Sequence, residues 1–207
     1  MKKLQPLFLA LLWLAAVGCG TGILLVYDYT PGEAEGGIPK SWAASSRIPH
    51  SANLPTLIMF AHPQCPCTRA SIGELAVLMA QCQGKVNAYV AFFQPKGSGA
   101  DWTHTDLWRS AAAIPGVTVL ADEDGREAAD FEATTSGHVV LYDAGGRLLF
   151  SGGITESRGH SGDNEGRSAI VEVLKHGGPS GHTTPTFGCS LLNPTIKDVA
   201  MQLPWTP

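Results

Sequence analysis

Charge is scarce in this sequence. Only 15% of its 207 residues are Asp, Glu, Lys or Arg, and the formal net charge is −4, so there is no basic stripe to neutralise a phosphate backbone. That argues against a nucleic-acid partner. No phosphate-binding P-loop, no H-E-x-x-H pair and no G-x-S-x-G turn occurs, and no internal repeat is visible. Phosphate cradling, zincin chemistry and a serine nucleophile elbow therefore have no sequence basis. The longest charge-free stretch runs from Leu4 to Tyr27, directly after Lys2 and Lys3. Roughly 20 apolar residues cross a bilayer core, so this run predicts a transmembrane segment. The two lysines keep the N-terminus on the cytoplasmic side, which places everything after Asp28 outside. A cleaved signal peptide and a lipidated Cys19, in Ala16-Val17-Gly18-Cys19, are the rival readings. Ile23-Leu24-Leu25-Val26 continues the apolar run past that box and favours an uncleaved anchor. All three readings export the domain, and the anchor reading gives a single-pass protein of the inner membrane facing the periplasm or cell exterior.

Cysteine is also sparse, with five in all. Cys19 lies in the apolar run, which leaves Cys65, Cys67, Cys82 and Cys189 for the exported part. Four thiols allow three complete pairings, and outside the cytoplasm such pairs can be oxidised and held so.

The chain divides into a signal-anchor helix (1–27), a juxtamembrane linker (28–53), a folded domain (54–176) and a Gly/Pro-rich tail (177–207). Thr56-Leu57-Ile58-Met59-Phe60 has the length and composition of a buried strand. Pro66 suits the first turn of a helix, and Ile72, Leu75, Ala76, Met79 and Cys82 recur at helical spacing behind it. Further strands are expected at 86–93, 117–120, 138–142 and 147–151, with Ala144-Gly145-Gly146 as a hairpin turn. Helices are expected at 105–114 and 124–133, and a last one begins at Asp163 and closes before Gly177. This β-α-β-α-β-α-β-β-α order predicts a three-layer α/β domain whose central sheet is mixed, the hairpin supplying an antiparallel edge.

That order, with Cys65-Pro66-Cys67 just after the strand ending at Phe60, resembles the thioredoxin-like superfamily over about residues 54–176. Within it the chain is most similar to exported redoxin variants of the RedB-like kind. The resemblance implies thiol–disulfide exchange with protein thiols or disulfides, or with a membrane electron donor, and no cofactor. Two departures stand out. The superfamily motif is usually C-x-x-C, whereas one residue separates the cysteines here. The superfamily also sets a cis-proline before its fourth strand, where this chain has Gly137 and His138.

With Pro66 as first helical residue, Cys65 becomes the N-cap, its sulfur facing the free N–H groups of Cys67 or Thr68 and open to an approaching reactant. Arg69 would add positive charge, and cysteines so placed have lowered pKa values. Cys65 is thus the expected nucleophile. Cys67 is a difficult resolving partner, because residues two apart on a helix point to nearly opposite sides. Cys189 in the tail is the other candidate. Cys82 lies 15 residues from Cys67, about 22 Å along a helix, and reads as a core residue. Arg158 and His160, in a long loop before the last helix, are candidates for charge or acid–base assistance. An alternative follows from two close thiolates and an imidazole: Cys65, Cys67 and His138 would form a soft Cu(I) site, similar to that of SCO-type copper-delivery proteins. A peroxiredoxin-like peroxidase, or a redoxin fold used as a non-catalytic scaffold, is a third reading.

Overall fold

The computed structural model describes residues 4–32, 37–178 and 181–191. Lys2 and Lys3, on which the predicted orientation rests, lie outside the described residues, as does the tail beyond 191.

Helix α1 (Leu4–Tyr29) is long enough to span a bilayer, at about 1.5 Å per residue. Its large apolar side chains, Leu7 through Tyr29, are exposed, as expected of a helix whose solvent is lipid or which is a signal sequence. The domain that follows is built on strands β1 (Thr56–Ala61), β2 (Asn87–Gln94), β3 (Val117–Glu123), β4 (His138–Tyr142), β5 (Leu148–Gly153) and β6 (His182–Thr184). They form one sheet in the order β3-β2-β1-β4-β5-β6. β1, β2 and β3 are parallel, β4 runs antiparallel to β1, β5 antiparallel to β4, and β6 parallel to β5. The helices are α2 (Thr68–Gln81), α3 (Asp106–Ala112), α4 (Arg126–Asp130) and α5 (Glu165–His176).

Side chains alternate across a strand, and β1 shows the consequence. Leu57, Met59 and Ala61 face a core shared with Leu75 and Leu78 of α2, Leu107 of α3 and Ile170 of α5. Ile58 and Phe60 face the opposite core, with Ala128 of α4, Phe131 and Ile48. Cys82 is fully buried in the first core, in agreement with its reading as a packing residue.

Three expectations need correction. Residues 37–54 are not a free linker: Trp42 packs on His50, Phe131 and Tyr142, and the Leu148 N–H donates to the Lys40 carbonyl. Nor is β5 the sheet edge, because β6 lies outside it. β6 reads His-Thr-Thr, too short and polar to carry a period-two signal. The last helix also starts one residue later than expected: Asn164 is its N-cap, accepting from the Arg167 N–H at 2.7 Å.

Loop 154–164 is fixed to α2 by a buried carboxylate. Glu74 accepts the Gly162 N–H at 2.8 Å and the Asn164 amide at 3.2 Å, and it pairs with the Arg167 guanidinium. Removing one member of a buried pair strands the other, at a cost of about 3–5 kcal/mol. Arg167→Ala is therefore expected to lower stability by about that amount, read as a shift in the urea unfolding midpoint.

Candidate functional site

The strand order reverses direction at β1, with β2 on one side and β4 on the other. In open α/β sheets such a switch point leaves a crevice beyond the strand's carboxyl end. The chain leaves β1 at Ala61 and reaches Cys65 there.

The start of α2 differs from expectation. The helix begins at Thr68, not Pro66, because the preceding turn is tighter than α: the Thr68 N–H donates to the Cys65 carbonyl and Arg69 N–H to that of Pro66, both three residues back. Cys67 takes the N-cap position with helical backbone angles and no side-chain cap. Cys65 still sits where the helix's unpaired N–H groups emerge, and the Thr68 N–H and hydroxyl lie where they favour its thiolate.

The decisive neighbour comes from the tail. Cys189 places its sulfur 3.0 Å from that of Cys65. The sulfurs of Cys65, Cys67 and Cys189 all lie within 4.8 Å of one another. The tail is held there by backbone pairing: the Ser136 N–H donates to the Cys189 carbonyl and the Leu191 N–H to that of Thr134, each at 2.8 Å. The approach is so close that a Cβ at Gly188 would fall 1.9 Å from the Ser136 carbonyl oxygen, so only glycine fits. Cys65 is consequently 1% exposed. It is covered by Cys189 and its polar backbone, where an open sulfur was expected.

Burial pushes the Cys65 thiol up, but four donors outweigh it: the Cys189 thiol, the Thr68 hydroxyl, and the N–H groups of Cys189 and Thr68. The net result holds Cys65 below its ordinary value. Cys67 is raised, by burial and then by repulsion from Cys65, with Arg158 opposing. Cys189 is pushed up to about 12 by burial, by its hydrogen bond to Cys65 and by the neighbouring sulfur charges.

Behind Thr68 stands a hydrogen-bond relay. The His62 N–H, which can only donate, gives its hydrogen to the Ser136 hydroxyl oxygen at 2.8 Å, and Ser136 meets the Thr68 hydroxyl at 2.6 Å. When the sulfur is ionised, Thr68 donates to it, which leaves the Thr68 oxygen to accept from Ser136. Sequence reasoning missed Ser136 and His62, since nothing in their spacing ties them to Cys65. Thr68 was legible, being one helical turn beyond Cys65.

Of the other expected site residues, Arg158 converges on the thiols. Its charge favours the Cys67 thiolate, and its guanidinium bonds the Gly188 carbonyl, lies 4.8 Å from the Tyr27 ring centroid, and donates to the Tyr27 carbonyl at 3.2 Å. Arg69 does not; it pairs with exposed Asp106 and holds that carboxyl below its usual range. His160 is exposed in its loop, outside the thiol group. His138 is fully buried, with ring nitrogens 3.0 Å from the Thr186 and Ser151 hydroxyls. Among the described residues the group with converging ligand atoms contains Cys189 and not His138. Gly137, noted from the sequence at the place of the superfamily's proline, has φ +93°, and no cis peptide bond occurs among the described residues.

No protein-family model matches the chain, and no curated protein does. Among solved structures, an uncharacterized conserved protein from Geobacillus kaustophilus superposes with a TM-score of 0.58 at 17% identity, covering 81% of this chain and 94% of its own. A hypothetical protein from Sinorhizobium meliloti gives 0.58 at 21% identity, covering 76% and 96%. A secreted Mycobacterium tuberculosis disulfide oxidoreductase, homologous to DsbE of E. coli, gives 0.43 at 15% identity, covering 60% and 82%. The fold is thioredoxin-like. In this thioredoxin-like domain the tail occupies the ground between β4's approach and the start of α2, and brings the third thiol with it.

Proposed function

We propose that the protein is an exported, membrane-anchored thiol–disulfide oxidoreductase in which Cys65 is the attacking thiolate and Cys189 the resolving thiol. The observation that carries this reading is the 3.0 Å approach of the two sulfurs at the start of α2. A disulfide bond is about 2.05 Å long, so roughly 1 Å of movement joins them.

In the reaction, the Cys65 thiolate attacks one sulfur of a partner's disulfide and the other leaves as a thiolate. Cys65 is then neutral, so the charge that keeps Cys189 protonated is gone. Cys189 gives its proton to the departing partner sulfur and attacks Cys65. The partner's second sulfur leaves as a thiolate that takes a proton from solvent, and the protein holds a Cys65–Cys189 disulfide. The reverse sequence donates that disulfide to a partner.

Mild oxidation followed by peptide mapping is expected to give the Cys65–Cys189 bridge with Cys67 free. Cys65→Ser is expected to abolish turnover of a model disulfide, and Cys82→Ala to alter stability alone, by about 1 kcal/mol. Recovery of Cys65–Cys67 as the dominant bridge would remove Cys189 from the cycle and with it this reading.

A further inference from the structure

We propose that Cys65, Cys67 and Cys189 together form a three-thiolate site for a thiophilic closed-shell metal ion, Zn(II) by charge. This goes beyond the exchange reaction, which has no use for Cys67.

The geometry fits one ion. Zinc–sulfur bonds of about 2.3 Å at tetrahedral angles put bound sulfurs about 3.8 Å apart. The three sulfurs lie near that spacing, 3.0 Å apart for Cys65 and Cys189 and all within 4.8 Å of one another. Cys65 and Cys67 are 1% and 8% exposed, so a bound ion would be shielded from competing water on one side. Cys189 is only half-buried and leaves a way in. No fourth His, Cys, Asp or Glu atom joins the group among the described residues. That leaves one coordination position for water or an incoming sulfur, the pattern of an open zinc site.

Charge selects between the soft ions. Three thiolates and the Arg158 guanidinium sum to −2, which Zn(II) neutralises and Cu(I) does not. The ligand set also replaces the Cu(I) set expected from sequence. The His138 ring is engaged by Thr186 and Ser151, and the third ligand comes from the tail.

Metal and disulfide exclude one another. When a partner's disulfide oxidises the loaded site, the Cys65 and Cys189 thiolates surrender two electrons and form their S–S bond. The partner's sulfurs take those electrons, and two protons from solvent, to become thiols. The ion, left with Cys67 alone, departs.

The test uses full-length protein in detergent micelles, reduced, stripped with a chelator and kept anaerobic. Zn²⁺ and Cu⁺ are titrated separately against a chromophoric competitor, with Co²⁺ as an optical stand-in whose sulfur-to-metal band reports the thiolates. One ion per chain is expected. The affinity should fall by more than about 100-fold in each of Cys65→Ser, Cys67→Ser and Cys189→Ser, beyond the loss that removing an outer partner causes. Cys82→Ala and His138→Ala should bind as the parent does. Failure of both ions to bind one per chain, or full affinity in Cys67→Ser or Cys189→Ser, overturns the site. Binding of Cu⁺ without Zn²⁺ overturns the charge argument for zinc. The two readings fail separately. A Cys65–Cys189 bridge without metal binding sinks only the site, and metal binding without that bridge sinks only the exchange reaction.

Discussion

Replacing Cys189 with serine is expected to turn a catalyst into a trap. Exchange passes through a mixed disulfide between Cys65 and the partner, and the step that ends it is intramolecular only because the tail carries a second sulfur to within 3.0 Å. Well-oriented intramolecular groups reach effective molarities on the order of 10⁵–10⁸ M, so their loss hands resolution to dilute external thiol. Turnover should fall by at least about 100-fold. The covalent complex should accumulate, visible as a non-reducing band whose mass is the sum of the two partners. Serine preserves the shape of the tail, so the defect lies in chemistry and not in docking. Cys67→Ser should stay within about twofold of the parent, since no step requires that sulfur. If the complex builds up in Cys67→Ser instead, Cys67 and Cys189 exchange roles.

The second large effect concerns pH. In metal-free, reduced protein, alkylation of Cys65 by a small reagent should rise with pH about a midpoint below that of an ordinary cysteine, because its folded-state value is lowered. Cys189 should resist until strongly alkaline pH, as its thiol is pushed up to about 12. The sign follows from the thiolate being the reactive form: a lowered value means more of it at neutral pH. Thr68→Val removes the hydroxyl that donates to the sulfur. A hydrogen bond to a charged group contributes about 1.5 kcal/mol or more, so the midpoint should rise by about one pH unit and alkylation at pH values below it should slow about tenfold. Thr68→Ser should restore it. Ser136→Ala should move the midpoint the same way by less, because it acts through Thr68. An unchanged pH profile in Thr68→Val would mean that burial, the Cys189 thiol and the backbone set the sulfur's acidity without the hydroxyl.

The fold was legible because its signals are local. Thr56–Phe60, His138–Tyr142 and the helical spacing behind Cys67 each announce a buried element, and their order dictates the sheet. The site was legible only in part. Cys65 could be read from a proline and a strand end next to it, and Arg158 from an overlong loop. Arg69 was misplaced because sequence proximity to Cys65 says nothing of direction. As the second residue of α2 it points away, toward Asp106 at the start of α3. His138 was misassigned for a related reason: being near the right loop is compatible with facing the core, where Ser151 and Thr186 satisfy it. Ser136, 68 residues from Thr68, meets it only through the antiparallel pairing of β1 with β4, which brings the approach to β4 beside the end of β1.

The segment carrying Cys189 is pinned at both ends, by β6 on one side and by the Thr135–Ser190 bridge on the other. With Cys65 at 1% exposure beneath it, no bulky reagent reaches the nucleophile until that strap lifts. The far fastening is that bridge, made of two backbone hydrogen bonds, together with the Arg158 bond to the Gly188 carbonyl, whereas the near one is a strand in the sheet, so the far fastening is expected to yield first. Encounter is thereby split into a breathing motion and a collision. At high partner concentration the observed rate is therefore expected to level off at the frequency of breathing, a plateau that rapid-mixing measurements would show, so that the chain sets the tempo of its own exchange.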